Sequence, residues 1–155
     1  MDVRLAHEGR AIRCLFYLDL DGFKEINDTY GHDQGDDVLR TAARRLRRAV
    51  GADDLLCRIG GDEFVAVLTI DTAEPGELEH ASDRLREAVC APVPRRGSGG
   101  ESVAVGVSIG RALIVPGSSV DVAMKAADRQ MYEAKQATRG ARKSAPPVPA
   151  ASYHA

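Results

Sequence analysis

Arg58-Ile59-Gly60-Gly61-Asp62-Glu63-Phe64-Val65 is the stretch on which the reading of this chain turns. Two glycines stand between strand-like runs at residues 55–59 and 63–70. A Gly-Gly pair in that position predicts a tight hairpin, whose central residues can require positive φ. The bare backbone also lets another molecule approach closely. Asp62 and Glu63 adjoin the gap, and adjacent carboxylates repel one another unless a cation, usually a metal, compensates them. The stretch therefore reads as a resting place for a metal-bound polyphosphate, with an acidic hairpin on a solvated edge as the alternative.

Upstream, residues 12–20 are apolar almost throughout and read as a buried strand. Residues 22–30 suggest a short helix with Asp21 placed to cap it. A longer helix follows over about 34–50, where Val38, Leu39, Ala42, Ala43, Leu46 and Val50 share one face. Its arginines gather towards the C-terminal end, where positive charge suits the helix dipole, and read as a solvated face. Downstream, residues 77–90 form an amphipathic helix, and 91–100, with two prolines and three glycines, a flexible connection. Residues 103–115 read as one or two strands and 118–139 as a final helix. The tail beyond Gly140 is rich in Pro and Ala and reads as disordered over 141–155. Helices alternate with hairpin and crossover strands, which suits an α/β sandwich with a mixed central sheet.

The 155 residues suffice for one domain with a sizeable core. A net charge of −2 offers no basic field for nucleic acid or an anionic membrane. No apolar run is long enough to span a bilayer and no signal peptide is recognisable, so the cytoplasm is expected. Cys14, Cys57 and Cys90 are widely spaced and odd in number, and read as reduced, mostly buried residues.

Asp19 ends the first strand, the end at which sheets with crossover helices bind ligands. Together with Asp62 and Glu63 it would make a hard oxygen site suited to Mg²⁺. A lone aspartate there is also a common turn former.

From Leu18-Asp19-Leu20-Asp21-Gly22-Phe23-Lys24-Glu25-Ile26-Asn27-Asp28 to Gly31-His32-Asp33-Gln34-Gly35-Asp36, the chain resembles the DxDxFKxxND…GHxxGD segment of GGDEF domains. These are the bacterial diguanylate cyclases that make cyclic di-GMP. Residues 58–64 match that family's RxGGDEF signature without a substitution, and residues 108–110 and 127–135 match its late strand and final helix. The resemblance runs from about residue 14 to 140 and implies a ferredoxin-like, polymerase-palm type core.

The resemblance also implies roles. Asp19, the Leu20 carbonyl and Asp62, with Glu63 beside them, would hold Mg²⁺ or Mn²⁺, two ions per half-site. Asn27 and Asp36 would read the guanine edge of GTP, since a carboxylate accepts from the N–H groups that guanine presents. Lys125 and Arg129, four apart on one helix face, would grip the β- and γ-phosphates, or else be two solvated charges. Lys24 would help neutralise the phosphates. Phe23 and its neighbours, with Gly60 and Gly61, would bring backbone groups to them. His32 would be structural, and Asp33 a helix cap. Two domains, each holding one GTP, would meet for the reaction, brought together by an upstream sensory or dimerisation segment. The alternative is a GTP-binding regulatory module without turnover.

Two departures stand out. The family's product-binding RxxD motif is reduced to Gly51-Ala52-Asp53-Asp54, keeping Asp54 but placing Gly51 where an arginine would clamp phosphate. The DxLTGLxNR-like segment and helix that usually precede the first strand are not recognisable in residues 1–11, so the domain, residues 1–140, reads as truncated at its start.

Overall fold

The computed structural model describes residues 11–144. The readings of residues 1–10 and 145–155 lie outside the described residues. Strand β1 (Ile12–Asp21) sits in the sheet interior, between β3 (Glu63–Ile70) and β6 (Gly106–Ile114), with β2 (Leu55–Arg58) beyond β3. Between these strands run α1 (Phe23–Tyr30), α2 (His32–Ala49) and α3 (Pro75–Cys90), and α4 (Val120–Ser144) closes the described chain.

The near-continuous apolar run of β1 follows from burial on both sides. Phe16, Leu18 and Leu20 face a core shared with α1, α2 and α3, including Ile26, Val38, Leu46 and Leu85. Leu15 and Tyr17 point the other way, towards Ala123, Ala127 and Met131 of α4. Alternation along a strand sends successive side chains to opposite faces, so one run supplies two cores. The order β2-β3-β1-β6 is that of two interleaved strand–helix–strand units, the ferredoxin-like arrangement expected. The sheet expected to be mixed is antiparallel at every ladder, because the parallel partners (β1 with β2, β3 with β6) are each separated by one strand.

Local expectations change in several places. Asp21 does not cap α1; Gly22, at φ 82°, turns the chain out of β1 and occupies the cap position. Asp21 instead ends β1 and accepts hydrogen bonds from the Ser108 hydroxyl at 2.8 and 3.0 Å. Helix α2 begins at His32, so Asp33 lies in its first turn and makes no capping bond. The 91–100 connection is an arm, with β4 (Val93–Pro94) paired to β5 (Ser102–Val103). Helix α4 runs past Gly140 to Ser144. Of the three free cysteines only Cys14 is buried, with its thiol pushed up to about 11 by burial, while Cys57 is exposed.

Candidate active site

The β1 register places Asp19 opposite both Glu63 on β3 and Ser108 on β6. Cross-strand partners share a face, so Asp19 and Glu63 look towards α4. Gly60 and Gly61 turn the chain between β2 and β3 without positive φ. Their value lies elsewhere. A Cβ on Gly60 would come within 2.5 Å of a Glu63 carboxylate oxygen. Arg58 donates from its guanidinium to the Gly60 and Gly61 carbonyls at 2.8–3.1 Å and pins the turn. The Leu20 amide donates to the Asp62 carbonyl at 3.0 Å, tying the turn to the end of β1.

Asp62 thereby stands near Asp19. Its carboxyl is held above the usual carboxylate range, by burial first and then by the negative charge of Asp19, with Lys135 opposing. Lys135 reaches in from α4, its ammonium 2.6 Å from an Asp19 oxygen and 3.9 Å from Asp21. Glu63 is turned aside, accepting a 3.3 Å hydrogen bond from the Tyr17 hydroxyl. Burial and the charge of Glu63 push that phenol up to about 12. Asp19, Asp62 and the cleft-lining Leu20 offer hard oxygen donors, which suit a divalent cation in kind. Among the described residues, however, no three His, Cys, Asp or Glu side chains converge as a ready-made metal site.

A cleft of about 690 Å³ opens beside these carboxylates. Its walls are the turn into α1 (Asp21, Gly22, Phe23, Lys24 and Glu25), Leu20 and Asp62, and from α4 Lys135, Gln136, Thr138, Arg139 and Gly140. Lys125 and Arg129 do not line it and are exposed. Helix phase explains the correction. Ala123, Ala127 and Met131 are buried at four-residue spacing, and the next positions of that stripe are 135 and 139. Positions 125 and 129 follow the stripe residues by two, about 200° round the helix, on the solvent side. The same Lys-x-x-x-Arg spacing occurs at both places, so spacing alone could not choose; the buried stripe could.

A second cavity, of about 350 Å³, lies between α2 and the β2–β3 hairpin, lined by Asp36, Leu39, Arg40, Ala43, Leu56, Cys57, Arg58 and Phe64. Asn27 does not line it. Its amide lies against Gly35, where a Cβ would fall 1.8 Å from the side-chain oxygen, so a larger residue there would displace the Asn27 side chain. That oxygen is buried without a hydrogen-bond partner. His32 is exposed. Asp54 is occupied: its carboxylate accepts from the Gly51 amide at 2.7 Å and the Thr69 amide at 2.9 Å. Arg47 donates to the Gly51 and Asp54 carbonyls.

Comparison with known proteins places the chain in a family. A family model described as "Diguanylate cyclase, GGDEF domain" matches residues 3–141. The chain is 43% identical over 125 residues to response regulator PleD of Caulobacter vibrioides, covering 80% of this chain and 27% of the relative. It is 38% identical over 144 residues to diguanylate cyclase TpbB of Pseudomonas aeruginosa, covering 92% and 32%. The chain thus spans a third or less of the length of these curated relatives. Among solved structures, a sensory box/GGDEF family protein from Caulobacter crescentus superposes with a TM-score of 0.75 at 36% identity, covering 86% of this chain and 84% of that one. The GGDEF domain of DgcB from the same organism, solved in complex with c-di-GMP, gives 0.73 at 33%, covering 86% and 78%. A strand-end aspartate, a pinned Gly-Gly-Asp-Glu turn and a matching fold over most of the chain leave one assignment: this chain belongs to the GGDEF diguanylate cyclase domain family.

Proposed function

We propose that this domain joins two molecules of GTP into cyclic di-GMP. The observation that carries the reading is the placing of Asp62, whose proton affinity is raised by burial and then by the charge of Asp19, in a cleft that Lys135 and Arg139 also line. In each of two steps the 3′-hydroxyl of one GTP attacks the α-phosphate of the other. A P–O bond forms, the α–β bridge breaks, and pyrophosphate leaves. Mg²⁺ or Mn²⁺, two ions per half-site, held by Asp19, Asp62 and the Leu20 carbonyl with Glu63 alongside, would lower the pKa of the attacking hydroxyl and offset charge on the α-phosphate.

The chain's own residues do the rest. Lys135, Arg139 and Lys24 hold the β- and γ-phosphates, as ammonium and guanidinium groups do. Backbone amides at the Phe23 turn, and the side-chain-free Gly60 and Gly61, let those phosphates lie close. Asp36 would accept from the guanine N–H edge, and Asn27, which does not line the cavity, would have to turn its unpartnered side-chain oxygen away from Gly35 to join it. Asp62 serves first as a positioning ligand, because a carboxylate bound to a cation is not a free base. With one GTP held per domain, ring closure would need a second copy facing it. A sensory or dimerising segment elsewhere in the parent protein would set that encounter, in the cytoplasm where GTP is available.

Incubation with GTP and Mg²⁺ tests the reading. Cyclic di-GMP and pyrophosphate are expected, with loss of product but not of GTP binding in Asp62→Ala. Tight GTP binding by a folded dimer that releases no product would instead make it a regulatory module.

A further inference from the structure

We propose that Arg40 is a specificity residue for the nucleobase, donating a forked pair of hydrogen bonds to O6 and N7 of guanine in the cavity between α2 and the β2–β3 hairpin. This rests on the reading of the protein as one that acts on GTP. The cavity, of about 350 Å³, has apolar surface from Leu39, Ala43, Leu56 and Phe64 and two charged groups on α2, Asp36 and Arg40. A flat base with apolar faces and polar edges suits such a lining. Asp36 and Arg40 stand four residues apart, hence on one helix face, an acceptor followed by a donor fork.

That order is the order of guanine's edge. Its N1–H and 2-amino donors adjoin the O6 acceptor, and N7 lies beyond. Adenine presents an amino donor where guanine has O6, and two donors facing each other leave both unsatisfied. Guanidinium forks pair with O6 and N7 in the same way when proteins read guanine in DNA.

Two other arginines are committed elsewhere. Arg58 also lines the cavity, but its guanidinium is bound to the Gly60 and Gly61 carbonyls. Arg96 holds Asp37 at 2.5 Å. Arg40 meets the same Asp37 only at 3.5 Å, and its side chain is 71% exposed. With Asp37 already compensated, Arg40 gives up little by swinging its fork over the cavity.

The test compares GTP, 7-deaza-GTP, which lacks the N7 acceptor, and inosine triphosphate, which lacks the 2-amino group. For the wild type, kcat/KM with 7-deaza-GTP should fall about tenfold below GTP, the scale of one hydrogen bond to a charged donor. In R40M the KM for GTP should rise by at least that factor with kcat nearly held. The GTP to 7-deaza-GTP ratio should collapse towards one, while the GTP to inosine triphosphate ratio stays at its wild-type value. R40K, which keeps the charge without the fork, should remain nearer R40M than wild type. Unchanged N7 discrimination in R40M, or equal use of both nucleotides by the wild type, overturns the assignment of Arg40 and leaves the cyclase reading standing. A wild type that makes no cyclic dinucleotide from GTP overturns both.

Discussion

Asp62 is placed where its charge is expensive, half-buried and beside Asp19, and this has a consequence that can be measured without substrate. Its folded-state pKa lies above the unfolded value of 3.8, so the folded protein binds a proton more readily than the unfolded chain. The resulting penalty is fully present above the folded pKa and disappears as pH falls below the unfolded one. Asp62→Asn in a chelating buffer should therefore melt higher than wild type at neutral pH, with the gap closing in acid. The same variant should lose on the order of 10³-fold in turnover, since charge compensation at the reacting phosphate is worth several kcal/mol. Equal melting temperatures at pH 7 would contradict the crowding of these carboxylates. Asp19 and Asp62 stood out in the sequence as candidates because a strand end and a glycine turn place them, and Asp36 only through the family resemblance; the structure sets Asp62 in the cleft and Asp36 in the cavity beside α2. Lys135 and Arg139 did not stand out, because Lys125 and Arg129 repeat their spacing and only the phase of the buried face of α4 separates the two pairs.

At the scale of elements, the arm from Val93 to Val103 shows how tertiary contacts override composition. Its prolines and glycines read as a loose connection, yet Gln34, only 1% exposed, donates to the Pro94 carbonyl and accepts from the Arg96 amide. Arg95 stacks over the Tyr30 ring at 5.6 Å, and Arg45 binds the carbonyls of Ala91 and Pro92. No periodicity announces such anchors, because they join residues 46 to 65 positions apart. Gln34→Leu would leave one carbonyl and one amide unpaired, at a cost of about 1–3 kcal/mol. A lower melting point together with faster amide exchange over 93–103 is expected; exchange unchanged there would show that Gln34 does not hold the arm. The turn around Asp54 carries a second prediction. With Gly51 in place of an arginine and the Asp54 carboxylate bound to two amides, product should inhibit weakly through this turn. Initial rates measured with rising cyclic di-GMP check this, and strong non-competitive inhibition that Asp54→Ala relieves would refute it.

For the whole molecule, the alternation of helices with crossover and hairpin strands was enough to anticipate a sheet with helices packed on it, the family resemblance supplied the ferredoxin-like order, and β1 was legible as a buried strand. The purely antiparallel ladders were not, since strand direction between non-consecutive neighbours depends on which strand inserts between them. Nor was the close approach of α4 to β6, where a Cβ on Gly110 would fall 1.9 Å from the Ala127 carbonyl oxygen. That approach carries Lys135 to Asp19 and makes one wall of the cleft; on the proposed mechanism the facing GTP would come from another copy. The dependence of cyclic di-GMP synthesis on protein concentration, at saturating GTP and Mg²⁺, tests this most directly. A rate that rises with nearly the square of protein concentration at high dilution, and vanishes in Asp62→Ala, is predicted. A rate strictly proportional to protein down to concentrations at which the chain is monomeric would contradict it.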